Sequence, residues 1–324
     1  LDAMAVLSRV RALAGVLGAI LGILLLLGMT VLTLIGLSEP AKWSQDVYVA
    51  GFFHGTEHIT QPPFPLLSSM DVFTIDVQSG GTHFYILGSD GGGRDTLALM
   101  ARAVPTSLEL VAAVVAVRLL IGMVAGFAMA SGVRVVRTLT DGMGRWISGF
   151  PYLMLAIILT EALTPGSRFW AFVVGMAAIG WRDIARTVAD QIEHVRAEPF
   201  ALGARALGTT GVRFFRLHVV PYLRPALAIE IPFQASAVLV LLAELGYLGV
   251  FLGGTTTLVE DTGPTFTLAN QAELGQLLAS ARHYIEIHQL LPVVVPAVAI
   301  AIAALAFELL GVAIRGRHPY TGPA

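Results

Sequence analysis

The chain has 324 residues, of which 56% are hydrophobic and only 13% are charged. Soluble domains carry about 25% charged residues, so this composition indicates a membrane protein. The formal net charge of −2 gives a nucleic-acid partner no electrostatic support. The absence of cysteine excludes disulfides, thiolate metal sites and thiol nucleophiles.

Six apolar segments predict membrane-spanning helices, since about 20 apolar residues are needed to cross the hydrocarbon core. The fourth segment is less uniformly apolar, because Arg182 and Asp183 lie in its last turns. The first predicts an anchor rather than a signal peptide, because its apolar run is longer than a signal h-region and lacks an A-x-A site. Residue 1 is Leu, so Met4 is an alternative start. The predicted spans are 12–37, 106–130, 146–163, 169–188, 222–250 and 289–314.

The arginines predict the orientation, because basic residues collect in the cytoplasmic loops of membrane proteins. With the N-terminus inside, every short inside loop is basic and both termini are cytoplasmic. The predicted fold is an all-α polytopic membrane protein with an extracytoplasmic insertion after the first span. Its parts are a cytoplasmic stub and first span (1–37), the insertion (38–100), a transmembrane domain (101–318) with a cytoplasmic loop at 190–221, and a tail (319–324).

Two segments are predicted to lie outside the membrane. Within 38–100, the period-2 pattern of "DVFTIDV" (Asp71 to Val77) predicts a β-strand. The other outside segment, 251–288, begins with a stretch rich in Gly and Thr.

The longest cytoplasmic loop contains "EPFALGARALGTTGVRFFRLHVVP", residues 198–221. Glu198 and Pro199 suit the start of a helix, and Gly208 suits a left-handed residue after its end, so a short helix over about 199–207 is predicted. One face of this helix has small residues at its centre, which would let a partner surface approach closely. Arg205 points away from that face. That face comprises Phe200, Gly203, Ala204 and Leu207.

A second short helix is predicted from Val212 to Val219, with Arg213 and Arg216 one turn apart and Pro221 ending it. Such a helix–glycine–helix unit either docks a partner protein or lies among lipid head groups with its arginines extended to the surface. The residue pattern alone leaves both alternatives open.

This loop resembles the EAA loop of ABC-importer permeases, E-A-A-x-x-x-G-x9-I-x-L-P. Gly208, Val220 and Pro221 match in register, and Gly203-Ala204 matches the paired small residues. Leu202 stands at the motif's glutamate and His218 at its isoleucine. The resemblance implies that the loop forms a coupling helix, which docks on an ATPase subunit.

A stretch outside the membrane resembles the same family. "LGSDGGGRDTLALMARAVPTSL" (Leu87 to Leu108) is similar to the G-T-D-x-x-G-R-D-x-x-S-R segment of the C-type subunit of dipeptide, oligopeptide and nickel permeases. Glycine permits positive φ in a tight turn, and Asp95 can cap the helix that follows. A calcium or phosphate loop is the alternative. The matching residues are Gly88, Asp90, Gly93, Arg94 and Asp95.

Two further stretches, "AELGQLLASAR" and "YLGVFLG", are similar to family segments before the last span and at the end of the fifth. The resemblance covers about residues 83 to 317. It implies a type I importer permease fold in the bacterial inner membrane. The implied partners are a second homologous permease, two ATPase subunits that bind ATP and Mg, and an extracytoplasmic substrate-binding protein, beside membrane lipid.

The chain's single lysine, Lys42, follows Ala41, so no phosphate-binding P-loop exists and no cofactor is expected in this chain.

Charged residues inside the spans suggest either a translocation path or structural pairs. Arg118 lies near the middle of the second span, where an arginine costs about 2.5–3.5 kcal/mol. It is expected either to line the path or to pair with an acid such as Glu230 or Glu244. A proton relay among these three residues would instead indicate an ion-coupled transporter or channel.

Two histidine clusters are the remaining candidates for chemistry, "HGTEH" (His54, Glu57, His58) and "RHYIEIH" (His283, Glu286, His288). Their spacing could bind zinc, but Gly55 and the nearby prolines favour ordinary surface residues, so no metal site is predicted. Without cysteine, H-E-x-x-H or G-x-S-x-G, an intramembrane enzyme has little support. The sequence therefore predicts a permease subunit of an ATP-driven peptide importer, with nickel or another small solute as the alternative cargo.

Overall fold

The computed structural model describes most of the chain. The described residues are 2–38, 48–54, 59–74, 81–163, 167–207, 209, 211–252, 255–258, 266–269, 273–279, 281–286 and 288–317. Within them, four helices are long and apolar enough to cross a membrane. These are α1 (Asp2–Ser38), α2 (Thr96–Met129), α9 (Val220–Tyr247) with the turn that precedes it, and α11 (Leu291–Arg317).

The segment after α1 contains a small antiparallel sheet with strand order β2-β1-β3-β4. The predicted strand over 71–77 corresponds to β3, which begins three residues earlier, whereas 75–77 lie outside the described residues. In β3, Met70 and Val72 are buried and Phe73 is exposed, as expected for a strand with one buried face. The strands are β1 (Tyr48–Phe53), β2 (Ile59–Thr60), β3 (Ser68–Thr74) and β4 (Gly81–Tyr85).

The second outside segment also contains β-structure. A two-stranded antiparallel sheet pairs β5 (Thr255–Leu258) with β6 (Phe266–Ala269). A 3-10 turn (Gln276–Leu278) and the short helix α10 (Ala281–Glu286) then precede α11.

The predicted third and fourth spans have the wrong boundaries. The third, 146–163, covers the end of α3 (Arg134–Ser148) and all of α4 (Tyr152–Ala162), whose axes meet at 96°. The chain bends there because Pro151, which has no N–H, comes just before α4. With 11 residues, α4 alone is shorter than a membrane span.

The fourth predicted span, 169–188, consists of two helices, α5 (Arg168–Ala177) and α6 (Trp181–Ala197). Gly180 separates them with φ +93°, a left-handed conformation that ends α5 and that a glycine adopts without steric cost. A window of average hydropathy does not detect this break, because Gly180 lies among apolar residues.

The predicted second span, 106–130, is the later part of α2. The helix begins ten residues earlier and passes through Pro105. An early start is favoured because Asp95 accepts hydrogen bonds from the first free N–H groups of α2.

The chain divides into two compact units. The first comprises Leu1–Leu24, Val111–Val238 and Ala304–Ala324. Its core lies along α6, whose Ile184, Val188, Ile192 and Val195 form one buried hydrophobic cluster with residues of the following loop. This spacing of three or four residues is that of an amphipathic helix.

The second unit comprises Leu25–Leu110 and Leu239–Ala303. Beneath its four-stranded sheet, Phe64, Met70, Val72 and Tyr85 form a buried cluster. The ring centroids of Phe64 and Tyr85 lie 5.2 Å apart. This cluster places the sheet's inner face beside the glycine-rich loop at 88–95.

Candidate functional site

The predicted cytoplasmic helix is present as α7, Pro199–Ala206. Glu198 is extended (φ −67°, ψ 141°), as the residue before a proline prefers, and its carbonyl accepts the N–H of Ala201 at 3.0 Å. At the other end, the Thr209 N–H donates to the Ala204 carbonyl at 2.9 Å. The predicted left-handed Gly208 and the side chain of Arg205 lie outside the described residues.

One side of α7 is anchored in unit 1. Ala201 is completely buried in the cluster that α6 forms with Phe214 and Val219, and Ala204 packs against the same cluster. The carboxylate of Glu198 lies 3.5 Å from Nε2 of His194, one turn earlier in the chain. These contacts fix the orientation of α7 on α6.

The opposite side of α7 is apolar and exposed to solvent. Leu207 is 88% exposed and Leu202 is 61% exposed. A Cβ added at Gly203 would meet no atom within 4 Å, so the surface beside it is open. Phe200 is also exposed, and its ring stacks on that of Tyr222 with centroids 6.0 Å apart. Isolated exposed leucines are ordinary, but this cluster on one short helix has the composition of a docking surface.

The prediction that Pro221 ends a second short helix is wrong. The helix α8 (Gly211–Phe214) continues into a π-helical turn (Phe215–Val219) and then directly into α9. The N–H of Val220 donates to the carbonyl of Phe215, five residues earlier. This wider turn gives the proline ring the room that an α-turn lacks. Arg213 and Arg216 are exposed.

Arg196, which precedes the motif residues 198–221, joins the end of α6 to the end of α2. The guanidinium of Arg196 donates from Nη1 to the carbonyl of Ala130, just after the last residue of α2. A cation at this point also suits the negative end of the helix dipole. The sequence does not predict this contact, because Arg196 and Ala130 are 66 positions apart.

Arg118 is 3% exposed and lies within unit 1. Its Nη2 and Nε donate to the carbonyl of Met176 at 2.9 and 3.2 Å, and its Nη1 donates to Oε1 of Gln234 at 2.8 Å. Met176 lies in the last turn of α5, where helix carbonyls have no partner within the helix. The guanidinium also fills the space beside Gly180, where a Cβ would come within 2.9 Å of it.

The acids that were expected to pair with Arg118 have other surroundings. Glu230 accepts a hydrogen bond from the hydroxyl of Thr187 at 3.1 Å. Gln234, one turn after Glu230 on α9, holds the guanidinium instead. Glu244 belongs to the other unit. A path-lining role for Arg118, Glu230 and Glu244 stays a prediction.

The glycine-rich loop at 88–95 is a tight turn built around Asp90. One carboxylate oxygen of Asp90 accepts the N–H groups of Gly92 and Arg94 at 3.0 and 2.9 Å, and the other accepts Nε and Nη2 of Arg94 at 2.8 and 2.7 Å. Gly88 and Gly93 have φ of +72° and +79°, which confirms that the turn uses positive φ.

Asp95 joins this turn to α2 and to the sheet. Its Oδ1 accepts the N–H groups of Leu97 and Ala98 at 2.7 and 3.2 Å, which confirms the predicted helix cap. Its Oδ2 lies 2.6 Å from Nε2 of His83 on β4, and both side chains are buried. His83 was missed by sequence analysis, because nothing near it in the chain marks it as a partner of Asp95.

A second missed residue is Tyr284 on α10. Its hydroxyl oxygen accepts the N–H of Gly91 at 2.7 Å, and the ring is buried. Burial raises the pKa of Tyr284, and the nearby carboxylate of Asp90 raises it further. The loop is therefore held by hydrogen bonds within itself through Arg94, to the sheet and to α10.

Within the described part of the chain, no group of three His, Asp or Glu side chains is placed to hold a metal ion. His54 lies 3.3 Å from the Asp71 carboxylate, whereas Glu57 and His58 fall outside the described residues. The hydroxyl of Thr82 and then His54 hold the pKa of Asp71 below its usual range. His288 follows the end of α10 with φ +59°, so it does not continue the helix that contains Glu286.

Residues 118–317 match the family model described as "Binding-protein-dependent transport system inner membrane component". The chain is 28% identical over 230 residues to the nickel transport system permease protein NikC of Escherichia coli (strain K12), which covers 71% of this chain and 76% of NikC. It is 26% identical over 240 residues to the di/tripeptide transport system permease protein DppC of Pseudomonas aeruginosa (strain UCBPP-PA14), covering 73% and 72%. It is 24% identical over 185 residues to the oligopeptide transport system permease protein OppC of Bacillus subtilis (strain 168), covering 56% and 59%.

Proposed function

Because this chain belongs to the family of binding-protein-dependent transport system inner membrane components, we propose that it is a permease subunit of an ATP-driven importer for di- or oligopeptides. It is a multi-pass protein of the inner membrane. Peptides are the preferred cargo because two of the three relatives described above are named as peptide permeases. Nickel is the second candidate, supported by the similarity to NikC.

The observation that carries the proposal is the bare apolar side of α7. Its inner side is locked into the α6 cluster, while Leu202 and Leu207 point away from the subunit. A rigidly held helix with an exposed apolar face suits docking into a groove of a partner protein. In the proposed importer, this partner is an ATPase subunit, because the chain itself has no P-loop.

The proposed assembly has four further parts: a second homologous permease, two ATPase subunits and an extracytoplasmic binding protein. ATP and Mg would be bound by the ATPase subunits, and no covalent chemistry would take place in this chain. Closure of the ATPases would move α7 and, through it, α6 and the π-helical turn before α9. Arg118, Glu230 and Glu244 are proposed to lie along the translocation path, which the resulting movement of the spans would open.

The test begins with the unmutated protein. The tagged chain is purified gently from its native membrane, and the proteins that accompany it are identified by mass spectrometry. We expect a second permease and ATPases with P-loops. The purified assembly is then reconstituted in vesicles, and its ATPase activity is measured with binding protein and either a peptide mixture or nickel ions.

Stimulation by peptides would support the main proposal, and stimulation by nickel alone would support the second candidate. Recovery of the chain by itself, in a homogeneous form that transports solute in response to an ion gradient, would overturn both. That result would make the chain an ion-coupled transporter, and α7 would then dock no ATPase.

A further inference from the structure

An apolar cavity of about 360 Å³ lies within unit 2, among α1, α2 and α11. Its floor is formed by buried residues of two helices, including Met100 and Ala101 of α2 and Ala299 of α11. Its rim includes exposed residues, Leu32 of α1 and Val298 of α11, so the cavity is reached from outside the subunit.

The lining excludes a polar ligand. Every lining side chain is a hydrocarbon or thioether except Thr33. The hydroxyl of Thr33 already donates to the carbonyl of Met29 at 2.8 Å, within its own helix. Water, a peptide backbone or a metal ion would therefore lose its hydrogen bonds or ligands on entry without replacement. Only a hydrocarbon group suits this surface.

The position of the cavity indicates that its rim faces lipid. The lining segments of α1, α2 and α11 all belong to helices long and apolar enough to cross a membrane. In the predicted topology, the lining of α1 and α11 lies at the outer ends of their spans. The lining of α2 directly precedes its predicted span, beside Leu66 and Leu87 of the outside segment. The rim at Leu32 and Val298 therefore faces the acyl chains of the outer leaflet.

The length of the cavity suits an acyl chain. Along α11 the lining runs from Leu291 to Ile302, a length of about 16 Å at 1.5 Å per residue. An apolar groove of this length that opens toward the bilayer suits one extended hydrocarbon chain.

We propose that this cavity binds one acyl chain of a phospholipid from the outer leaflet. The inference stands apart from the transport function, because it depends on the lining and length of the cavity and on the predicted topology. It assigns the site to a lipid that stays with the protein when the bulk bilayer is removed by detergent.

The test compares two substitutions at similarly exposed valines of α11. Val298 is 47% exposed on the rim, and Val312, 51% exposed, lies outside the lining. The complex is purified from membranes with Val298→Trp, with Val312→Trp or without substitution, and bound phospholipid is counted by native mass spectrometry. We expect one retained phospholipid per chain in the unsubstituted and Val312→Trp proteins, and its loss in Val298→Trp.

A second measurement locates the lipid. The complex is reconstituted with a phospholipid that carries a photoreactive diazirine midway along one acyl chain, and the crosslinked peptides are sequenced. Crosslinks to the lining segments of α2 and α11, reduced by Val298→Trp but not by Val312→Trp, would support the proposal. Equal lipid retention in all three proteins, retention of detergent instead of phospholipid, or crosslinks only outside the lining would overturn it. A photoreactive amino acid at Val298 that captures the second permease would overturn it as well.

Discussion

The glycine-rich loop at 88–95 and the helix α7 both carry family-like motifs, but they are built in opposite ways. The loop is buried, and its charged groups Asp90, Arg94 and Asp95 are satisfied by neighbours within the same unit. Helix α7 buries only its inner side and leaves Leu207 88% exposed. The charged groups of the loop have partners within the chain, whereas α7 has an exposed apolar face for which a docking partner is proposed.

This contrast separates two kinds of role for motif residues. A substitution in the loop is expected to act through the stability of the chain. A substitution on the outer side of α7 is expected to leave the chain folded and to act through association. These two expectations can therefore be tested by measuring the free energy of unfolding of variants in each region.

The largest loss of stability is expected for Asp95→Ala. The change leaves the buried His83 without its carboxylate and removes the acceptor for two N–H groups of α2. Leaving a buried polar group without its hydrogen-bond partner costs about 1–3 kcal/mol, and losing a helix cap costs about 1 kcal/mol more. Thermal unfolding of the purified chain should show this loss. Asp71→Ala, an aspartate on β3 outside this network, is the control, and equal effects of the two substitutions would contradict the assigned role.

A smaller loss is expected for Arg118→Ala, which removes the hydrogen bonds to Met176 and Gln234 inside unit 1. Hydrogen bonds to a charged group contribute about 1.5–3 kcal/mol, so a loss of about 2–3 kcal/mol should appear in unfolding assays and in the yield of assembled complex. Arg118→Lys keeps the charge but not the planar fork, and it should recover only part of the loss. A stable, fully assembled Arg118→Ala complex without transport would contradict this structural role and leave Arg118 with the proposed path role alone.

Tyr284→Phe is expected to cost about 1 kcal/mol, because it removes one hydrogen bond, to Gly91. The substitution should also change the response to alkali. Since burial raises the pKa of Tyr284 above the unfolded value near 10, the neutral phenol stabilises the fold fully below pH 10, and this contribution is lost as the pH rises toward the raised value. Unfolding measured from pH 8 to 12 should therefore be less alkali-sensitive in Tyr284→Phe than in the unsubstituted chain. Identical alkaline profiles would contradict the assignment.

The smallest change in stability, within about 0.5 kcal/mol, is expected for Leu207→Gln combined with Leu202→Gln. Leu202 is exposed on α7 and Leu207 directly after its end, so little buried surface is lost. Association with the ATPases, measured by co-purification, should nevertheless fail. Leu139→Gln on α3, which is 64% exposed, is the matched control and should retain the ATPases. Unchanged co-purification of the ATPases with the α7 variant would contradict the docking role of α7.

Short-range patterns predicted the local parts of the structure well. Asp95 caps α2, Gly88 and Gly93 take positive φ, and α7 begins at Pro199, because each of these features depends on residues within a few positions. Long-range partners were missed. Tyr284 lies 193 residues from Gly91, and no local pattern announces that pairing.

The breaks in the apolar segments were missed for a different reason. Averaged hydropathy is insensitive to backbone conformation, so a left-handed Gly180 and the bend before Pro151 leave no trace in it. Conversely, Pro221 is a strong local signal for the end of a helix, but the π-helical turn at 215–219 accommodates it. Backbone geometry at such points is decided by the packing of the surrounding unit.

The order of synthesis also determines when the buried guanidinium of Arg118 can form its hydrogen bonds. Met176 and Gln234 follow it by 58 and 116 residues, so α2 is synthesised well before either acceptor. During biogenesis, the arginine must enter the bilayer without them, at a cost of about 2.5–3.5 kcal/mol, which the valines, leucines and isoleucines of α2 offset at about 0.3–0.6 kcal/mol each. Insertion of α2 is thus carried by its apolar residues, and the hydrogen bonds of Arg118 form only when the later helices arrive.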